Sequence, residues 1–167
     1  YKYVVKNVAK NNGKTATFMP KPLYGDNGSG MHTHMSLFRG DENVFYGEED
    51  EAHLSTIAKH FCAGLMKHAR EITLVTNQWV NSYKRLVPAY EAPTYITWAE
   101  VNRSDLIRIP SFKPDRKSSR RIEYRAPDPS CNPYLAFSVM LAAGLEGIDH
   151  KYEMPPSSTK SVHEMSE

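Results

Sequence analysis

Residues Arg121-Ile122-Glu123-Tyr124-Arg125 alternate between charged and apolar side chains. Because successive side chains of a β-strand point to opposite faces, this alternation predicts a strand with three charged groups on one face and two apolar groups on the other. A carboxylate between two guanidiniums stays ionised and can bind a divalent cation. The same pattern also suits a structural ladder of salt bridges, so this stretch alone leaves both interpretations open.

A second pattern places two histidines directly after a glycine-rich loop. His32 and His34 are two residues apart, so on a strand both imidazoles reach the same side. The loop before them, Asn27-Gly28-Ser29-Gly30, lets backbone amides approach a ligand closely and form an anion-binding concavity. Paired histidines on a strand are also common as ordinary polar surface, but the glycine-rich approach favours a binding site.

The arginines are unevenly distributed. Seven of the nine lie between Arg85 and Arg125, together with two lysines and five acidic residues. Guanidinium groups bind phosphate and carboxylate through paired hydrogen bonds, so this concentration indicates an anionic ligand. Arg103 and Arg108 flank a turn and could clamp a polyphosphate. A solvated or ion-paired surface remains the alternative.

Glu91 lies in a short segment between Pro88 and Pro93. An acid on such a constrained loop could act as part of a lid or as a general base, whereas by default it is an ordinary loop glutamate. No Ser/His/Asp arrangement is present in the sequence, and Cys131 has no adjacent base.

Hydrophobic spacing predicts an α+β fold, with helices packed on one side of a sheet. A helix is expected to end near Ala9, a longer one to begin near Leu54, and a last one to cover Asn132 to Ile148, with a loop from Thr76 to Val80. The expected strands are Thr15–Met19, Met31–Phe38, Tyr95–Trp98, Leu106–Ile109 and Ile122–Arg125.

Composition excludes some classes of protein. The net charge of the 167 residues is +2, which gives no field that would demand nucleic acid or an anionic membrane. No segment approaches the roughly 20 apolar residues that cross a bilayer. Cys62 and Cys131 are too few for a disulfide framework and are expected to be buried thiols in a reducing compartment.

Four stretches, in this order, resemble blocks of the type I glutamine synthetases. They are NGSGMHTHMSLF (residues 27–38), NSYKRLVPAYEAP (81–93), NRSDLIRIP (102–110) and RRIEYRAPDPSCNPYLA (120–136). The resemblance covers nearly the whole chain and implies the carboxyl-terminal part of a catalytic domain over residues 1–150, with a polar tail over 151–167. It also implies an antiparallel, curved sheet.

The resemblance implies a role for each matched residue. His32 and Glu123 would be ligands to the metal, and Glu91 would deprotonate ammonium on a flap that closes over the intermediate. The glutamate substrate would contact Asn27, Gly28, Arg85 and Arg125. The nucleotide side would include His34, Ser36, Arg108 and Arg121. Arg103, a catalytic residue, would act with Arg108 and Arg121 to neutralise the ATP phosphates and the transferred phosphoryl group.

The implied reaction joins ammonia to the γ-carboxylate of glutamate. ATP would phosphorylate that carboxylate, and ammonia would displace phosphate from the acyl phosphate, with Mg²⁺ or Mn²⁺ as cofactor. The parent protein would be cytoplasmic and would form a double hexameric ring with sites between subunits. Alternatives are a γ-glutamyl ligase that uses an amine such as a polyamine, a non-catalytic structural relative, and, least favoured, an RNA-binding basic module.

The sequence departs from the family pattern in three places. Ala89 replaces a glycine that is usual in the flap, which predicts a stiffer lid. The stretch 99–101 differs from the usual serine-alanine-arginine, and the loop 111–119 is about two residues longer, so a nucleotide-binding lysine cannot be assigned to Lys113 or Lys117. Only two metal ligands are matched, which predicts that these 167 residues alone are inactive.

Overall fold

The computed structural model describes residues 1–102, 104–113 and 115–158. The helices are α1 Lys2–Asn11, α2 Thr56–Lys67, α3 Ala69–Thr76, α4 Val80–Arg85 and α5 Pro133–Asp149, with a 3₁₀ turn at Lys117–Ser119. The strands are β1 Thr33–Met35, β2 Phe38–Arg39, β3 Glu42–Asn43, β4 Tyr95–Ala99, β5 Asp105–Arg108 and β6 Ile122–Tyr124.

Four of the strands form one sheet in the order β1-β6-β5-β4, and β2 pairs with β3 in a separate hairpin. The expected antiparallel arrangement holds for β1 with β6 and for β5 with β6. It is wrong for β4 and β5, which run parallel. The register pairs Tyr95 with Asp105, because the short link between the strands returns the chain to the start of β4 instead of making a hairpin.

Helices α2, α3 and α5 pack against one face of this sheet, which confirms the α+β layering. Phe61 and Leu65 of α2 and Met140 of α5 are fully or almost fully buried in the same core as Ile107 and Tyr124 of the sheet. Removing apolar surface of this kind from water stabilises the fold by roughly 25 cal/mol per Å². The sheet is therefore anchored on its apolar face.

The register of the sheet aligns the polar groups on its other face. His34 of β1 lies opposite Glu123 of β6, and Glu123 lies opposite Arg108 of β5. Tyr124 pairs with Ile107 on the apolar face. The two faces predicted from the alternation in residues 121–125 are therefore confirmed. Ile122 and Tyr124 lie in the core, and Glu123 lies on the polar side.

Three local expectations are wrong. Residues 15–19 form no strand, and most of them are exposed. The stretch 31–38 is not one strand, because β1 ends at Met35 and β2 belongs to the hairpin. The expected loop extends through Val80, but Val80 is the first residue of α4, which covers residues 80–85. The backbone amide of Trp79 donates a hydrogen bond to the hydroxyl oxygen of Ser82, in the first turn of this helix, at 3.3 Å.

Several other expectations are confirmed. Cys62 and Cys131 are both buried free thiols. The helix predicted over 132–148 is α5, whose first turn is capped by the Asn132 side chain, which accepts hydrogen bonds from the amides of Tyr134 and Leu135. Within the described part of the chain, no helix has the length and apolar character needed to span a membrane.

The described part of the tail lies along the outer edge of the sheet. The amide of Ser158 donates to the Trp98 carbonyl oxygen at 2.9 Å, and the Trp98 indole donates to the Pro155 carbonyl oxygen at 2.7 Å. This contact covers part of the exposed edge of β4. The remainder of the tail, residues 159–167, lies outside the described residues.

Glycines allow α2 and α5 to pack with their backbones in contact. A Cβ atom on Gly64 would lie 2.1 Å from the Ala143 carbonyl oxygen, and one on Gly147 would lie 2.2 Å from the His60 carbonyl oxygen. Because these obstacles are backbone atoms of packed helices, neither can move without separating the helices. We therefore expect both positions to exclude side chains.

Replacing Gly64 with alanine tests this packing. Alanine favours an isolated helix by about 1 kcal/mol, but the clash should outweigh this gain and lower the free energy of unfolding by about 2 kcal/mol in chemical denaturation. Ser138→Ala, at an exposed position of α5, is the control and should change it by less than about 0.5 kcal/mol. A more stable Gly64→Ala protein would contradict the close helix contact.

Candidate functional site

The Glu123 carboxylate is the centre of the polar face. Its Oε2 atom accepts a hydrogen bond from Nε of Arg108, and its Oε1 atom lies 3.4 Å from Nη1 of Arg125. The same Oε1 atom is 3.1 Å from Nδ1 of His32 and 3.9 Å from Nε2 of His34. Two guanidiniums and two imidazoles therefore converge on one carboxylate, but only one of the two guanidiniums is the expected one. Arg108 takes the place predicted for Arg121, which instead donates to Nδ1 of His34 and to the Ser119 carbonyl oxygen.

These neighbours keep Glu123 ionised although it is buried. Its side chain is 3% exposed. Burial acts to raise the pKa of Glu123, but Arg125 and Arg108 act in the opposite direction and the pKa is lowered overall. Removing an ion from water is costly unless it is paired and hydrogen-bonded, so this carboxylate depends on its arginines.

The potential around the carboxylate is positive. Burial, together with Arg125, Arg85 and Arg108, lowers the pKa of His32 to about 4, although Glu123 acts to raise it. The imidazole is therefore neutral near pH 7 and can donate a lone pair. His34 is similar: burial lowers its pKa, and its Nδ1 atom accepts a hydrogen bond from Nε of Arg121 at 3.1 Å.

Arg85 lies beneath the glycine-rich loop. Its Nη1 atom donates to the Ala126 carbonyl oxygen at 2.7 Å, and its Nη2 atom donates to the Arg125 carbonyl oxygen at 3.0 Å. The side chain is buried, and burial lowers its pKa to about 10. These contacts hold the backbone after β6, and binding of a substrate carboxylate by Arg85 stays a prediction.

The glycines of the loop are required by this close packing. A Cβ atom on Gly28 would lie 2.5 Å from the Pro20 carbonyl oxygen and 2.8 Å from Cγ of Arg85. A Cβ atom on Gly30 would lie 2.6 Å from Nη2 of Arg85 and 2.8 Å from Nε2 of His32. The loop therefore brings its backbone against the arginine and the histidine, which side chains at these positions would prevent.

The segment that carries Glu91 is tied to the same carboxylate cluster. Nη2 of Arg125 donates to the Glu91 carbonyl oxygen at 3.2 Å, while Nη1 of that guanidinium faces Glu123. The residue Glu91 itself is exposed. Ala89, two residues earlier, has φ = 72°, in the left-handed region that favours glycine. Alanine at this position costs about 1 kcal/mol.

The other predicted site residues lie around this centre at different distances from it. Ser36 lines a cavity of about 410 Å³ between β1 and α5, together with His34 and Phe137. Asn27 is exposed, and its backbone amide donates a hydrogen bond to Oδ1 of Asp26 at 2.7 Å. Arg103, predicted to contact phosphate, lies outside the described residues.

Sequence reasoning missed the residues that support Arg85. Asp128 is fully buried, and its charge acts on Arg85. Its Oδ2 atom accepts a hydrogen bond from Nδ2 of Asn77 at 3.1 Å, and Asn77 also donates to the Ala126 carbonyl oxygen at 2.8 Å. Asn77 gave no sequence signal, because its partners lie about 50 residues away.

The donors at Glu123 and His32 fit part of a divalent metal site. Their 3.1 Å separation matches neighbouring corners of an octahedron with bonds of about 2.1 Å, which are about 3.0 Å apart. A neutral imidazole and a carboxylate are suitable ligands for Mn²⁺, and the carboxylate suits Mg²⁺. Within residues 1–102, 104–113 and 115–158, however, no three His, Cys, Asp or Glu side chains are grouped to hold an ion. The set is therefore partial.

On the polar face of the sheet, guanidinium and imidazole groups therefore surround one buried carboxylate. The model of the family described as "Glutamine synthetase, catalytic domain" matches residues 1–167. The chain therefore belongs to the glutamine synthetase family.

Individual relatives agree with this assignment. The chain is 52% identical to the glutamine synthetase of Mycolicibacterium smegmatis and 56% identical to that of Pyrococcus furiosus, over all 167 residues. It is similar to the cryo-EM structure of Plasmodium falciparum glutamine synthetase, with a TM-score of 0.89 and 36% identity over 97% of this chain. The chain spans 37% of the length of the two sequence relatives and 32% of that structure.

The backbone at Ala89 gives a test of the flap. Ala89→Gly removes the Cβ strain and should keep or raise the free energy of unfolding, by up to about 1 kcal/mol, because the strain and the entropy cost of glycine oppose each other. Ala89→Val, with a branched side chain at the same positive φ, should lower it by about 1–2 kcal/mol. Chemical denaturation measures both, and equal stability of the two variants would contradict the left-handed conformation.

Proposed function

We propose that this chain forms part of an enzyme that joins ammonia to the γ-carboxylate of glutamate at the expense of ATP. The observation that carries the proposal is the convergence of His32, Arg108 and Arg125 on the buried carboxylate of Glu123. Family membership and the names of the relatives support the same reaction. The reaction needs anion-binding groups, a cation site and a carboxylate that can accept a proton.

In the proposed reaction, a γ-carboxylate oxygen of glutamate attacks the terminal phosphorus of ATP and ADP leaves, which gives γ-glutamyl phosphate. Nitrogen of ammonia then attacks the carbonyl carbon, and phosphate leaves with its bonding electrons. Arg108 and Arg121 neutralise the charge on the transferring phosphoryl group, as guanidiniums do in phosphoryl transfer. Arg125 and the Asn27–Gly28 loop orient glutamate.

His32 and Glu123 would hold a divalent cation, Mg²⁺ or Mn²⁺, next to the phosphates. When bound, this cation supplies Lewis-acid stabilisation of the phosphate oxygens. His34 and Ser36 lie on the nucleotide side in this proposal, and Ser36 lines the cavity beside β1. Arg103 is proposed to contact phosphate on family resemblance alone.

Glu91 is proposed to take the proton from ammonium. Its segment is connected to the cluster through the hydrogen bond between Arg125 and the Glu91 carbonyl oxygen. A closed segment at this place would exclude water, which protects an acyl phosphate from hydrolysis. The strained Ala89 would make this segment less free to move than one with glycine.

These 167 residues are proposed to be inactive by themselves. The described residues supply only a partial metal site, and two ligands do not fix an octahedral ion tightly. We propose that residues 1–150 form the carboxyl-terminal portion of the catalytic domain and 151–167 a tail. The whole protein is proposed to be a cytoplasmic double-ring oligomer with sites between subunits.

A chimaeric enzyme tests the proposed reaction. The matching segment of the Pyrococcus furiosus glutamine synthetase is replaced by this chain, and glutamine and phosphate are measured with ATP, glutamate and ammonium. We expect glutamine and phosphate in equal amounts. In this chimaera Glu123→Gln should lower kcat by a factor of about 100–1,000, because the buried charge between the guanidiniums is lost. Glu42→Gln, at an exposed position of β3, should leave kcat unchanged.

The substrate comparison distinguishes the alternatives. Putrescine or ethylamine in place of ammonium should release little phosphate; faster release with either amine would assign the chain to a γ-glutamyl-amine ligase. A folded chimaera that forms no product with any amine would indicate a non-catalytic relative. Glutamine formation by the 167 residues alone, at the rate of the chimaera, would contradict the proposed incompleteness.

A further inference from the structure

Lys21 is a half-buried lysine between α4 and the glycine-rich loop, and it has no role in the reaction proposed above. Its backbone is fixed by the side chain of Asn81 in α4. The Lys21 amide donates to Oδ1 of Asn81 at 2.7 Å, and Nδ2 of Asn81 donates to the Lys21 carbonyl oxygen at 3.0 Å. The preceding residue, Pro20, accepts a hydrogen bond from the Ser29 amide at 2.7 Å. The base of the lysine is therefore held against both the helix and the loop.

The ammonium group of Lys21 joins this loop to the segment that carries Glu91. Nζ donates a hydrogen bond to the Asp26 carbonyl oxygen, immediately before the loop, and lies 3.6 Å from the centre of the Tyr90 ring. A cation over the face of an aromatic ring is attracted by the negative potential of that face, and an ammonium group has enough donors to contact a carbonyl oxygen at the same time. Tyr90 directly precedes Glu91 in the chain.

We propose that Lys21 is a positioning residue, which holds the segment that carries Glu91 against the glycine-rich loop through the ring of Tyr90. This inference rests on the proposed function, in which Glu91 takes a proton from ammonium and its segment excludes water. Arg125 holds the same segment one residue further along, at the Glu91 carbonyl oxygen. The segment is therefore held at two successive residues, by a ring contact and by a hydrogen bond.

Loss of the Lys21 ammonium group should let water compete with ammonia for γ-glutamyl phosphate. In that side reaction the oxygen of water bonds to the carbonyl carbon, and the bond to phosphate breaks with its electrons on the leaving phosphate. One proton of the water passes to phosphate and the other to solvent. The products are glutamate and phosphate, so phosphate is released without glutamine. The hydrogen bonds to Asn81 involve only the backbone of Lys21, so they should survive replacement of its side chain.

The ratio of phosphate to glutamine in the chimaeric enzyme tests the proposal. Lys21→Met should raise this ratio about twofold, because a cation–π contact changes a local equilibrium by a few-fold. Lys21→Arg keeps a cation over the ring and should restore the original ratio. Tyr90→Leu should raise the ratio as Lys21→Met does, Tyr90→Phe should leave it unchanged, and the double variant Lys21→Met/Tyr90→Leu should add nothing further. A purely structural defect would lower both products together and leave the ratio unchanged.

Lys14→Met, at an exposed lysine, is the matched control and should not change the ratio. Proton NMR of the 167-residue chain measures the contact without the reaction. The ε-methylene protons of Lys21 should resonate upfield of those of Lys14, because they lie near the face of the Tyr90 ring, and Tyr90→Leu should abolish the difference.

Two results would overturn the inference while the proposed function stands. One is an active chimaera in which Lys21→Met still forms one glutamine for each phosphate. The other is a Lys21 signal at the same position as that of Lys14. A chimaera that releases no phosphate at all would instead contradict the proposed function, and with it the role of Lys21 in the reaction.

Discussion

The ion pairs between Glu123 and the guanidiniums of Arg108 and Arg125 are the interaction on which the polar face depends. Glu123 lies on β6, the strand between β1 and β5, so its carboxylate has neighbours from both sides. A buried carboxylate without partners would be destabilising by several kcal/mol, and one with partners fixes where those partners lie. The positions of His32 and His34 on one side and of Arg108 on the other follow from this single requirement.

Arginine performs two different tasks in this chain. Arg108 and Arg125 face a carboxylate, whereas Arg85 and Arg120 donate to backbone carbonyl groups inside the fold. Arg120 is 2% exposed and donates to the Pro110 carbonyl oxygen at 2.7 Å. The guanidinium group suits this second task because its donors form a rigid fork with several directions. A dense group of arginines therefore supports the site as well as forming it.

The elements that could be predicted are those with a strong local period. The alternation around Glu123 predicts β6 and its two faces, and the spacing of Leu65 and its neighbours predicts α2. The parallel pairing of β4 with β5 could not be predicted, because side-chain alternation is the same in parallel and antiparallel strands and a short link favours a hairpin. The absence of a strand at residues 15–19 shows that β propensity alone does not specify a strand.

In the candidate site, too, some residues could be predicted from local sequence patterns, whereas others depend on tertiary contacts. Glu123, His32, Arg108 and Arg125 are recognisable by residue type and spacing, and the geometry brings these four together. The supports of Arg85 could not be found in the sequence, since Asp128 and Asn77 act through tertiary contacts between distant segments. Ala89 is intermediate, because its departure from glycine is visible in the sequence but its positive φ is a property of the fold.

Anomalous diffraction from crystals of the chimaeric enzyme soaked in Mn²⁺ tests the central claim most directly. A manganese peak is expected within about 2.3 Å of both an imidazole nitrogen of His32 and a carboxylate oxygen of Glu123, with Arg108 still contacting that carboxylate. A map in which manganese binds elsewhere, while Glu123 remains bonded only to the two arginines, would show that the cluster is a structural ion-pair network and would contradict this account.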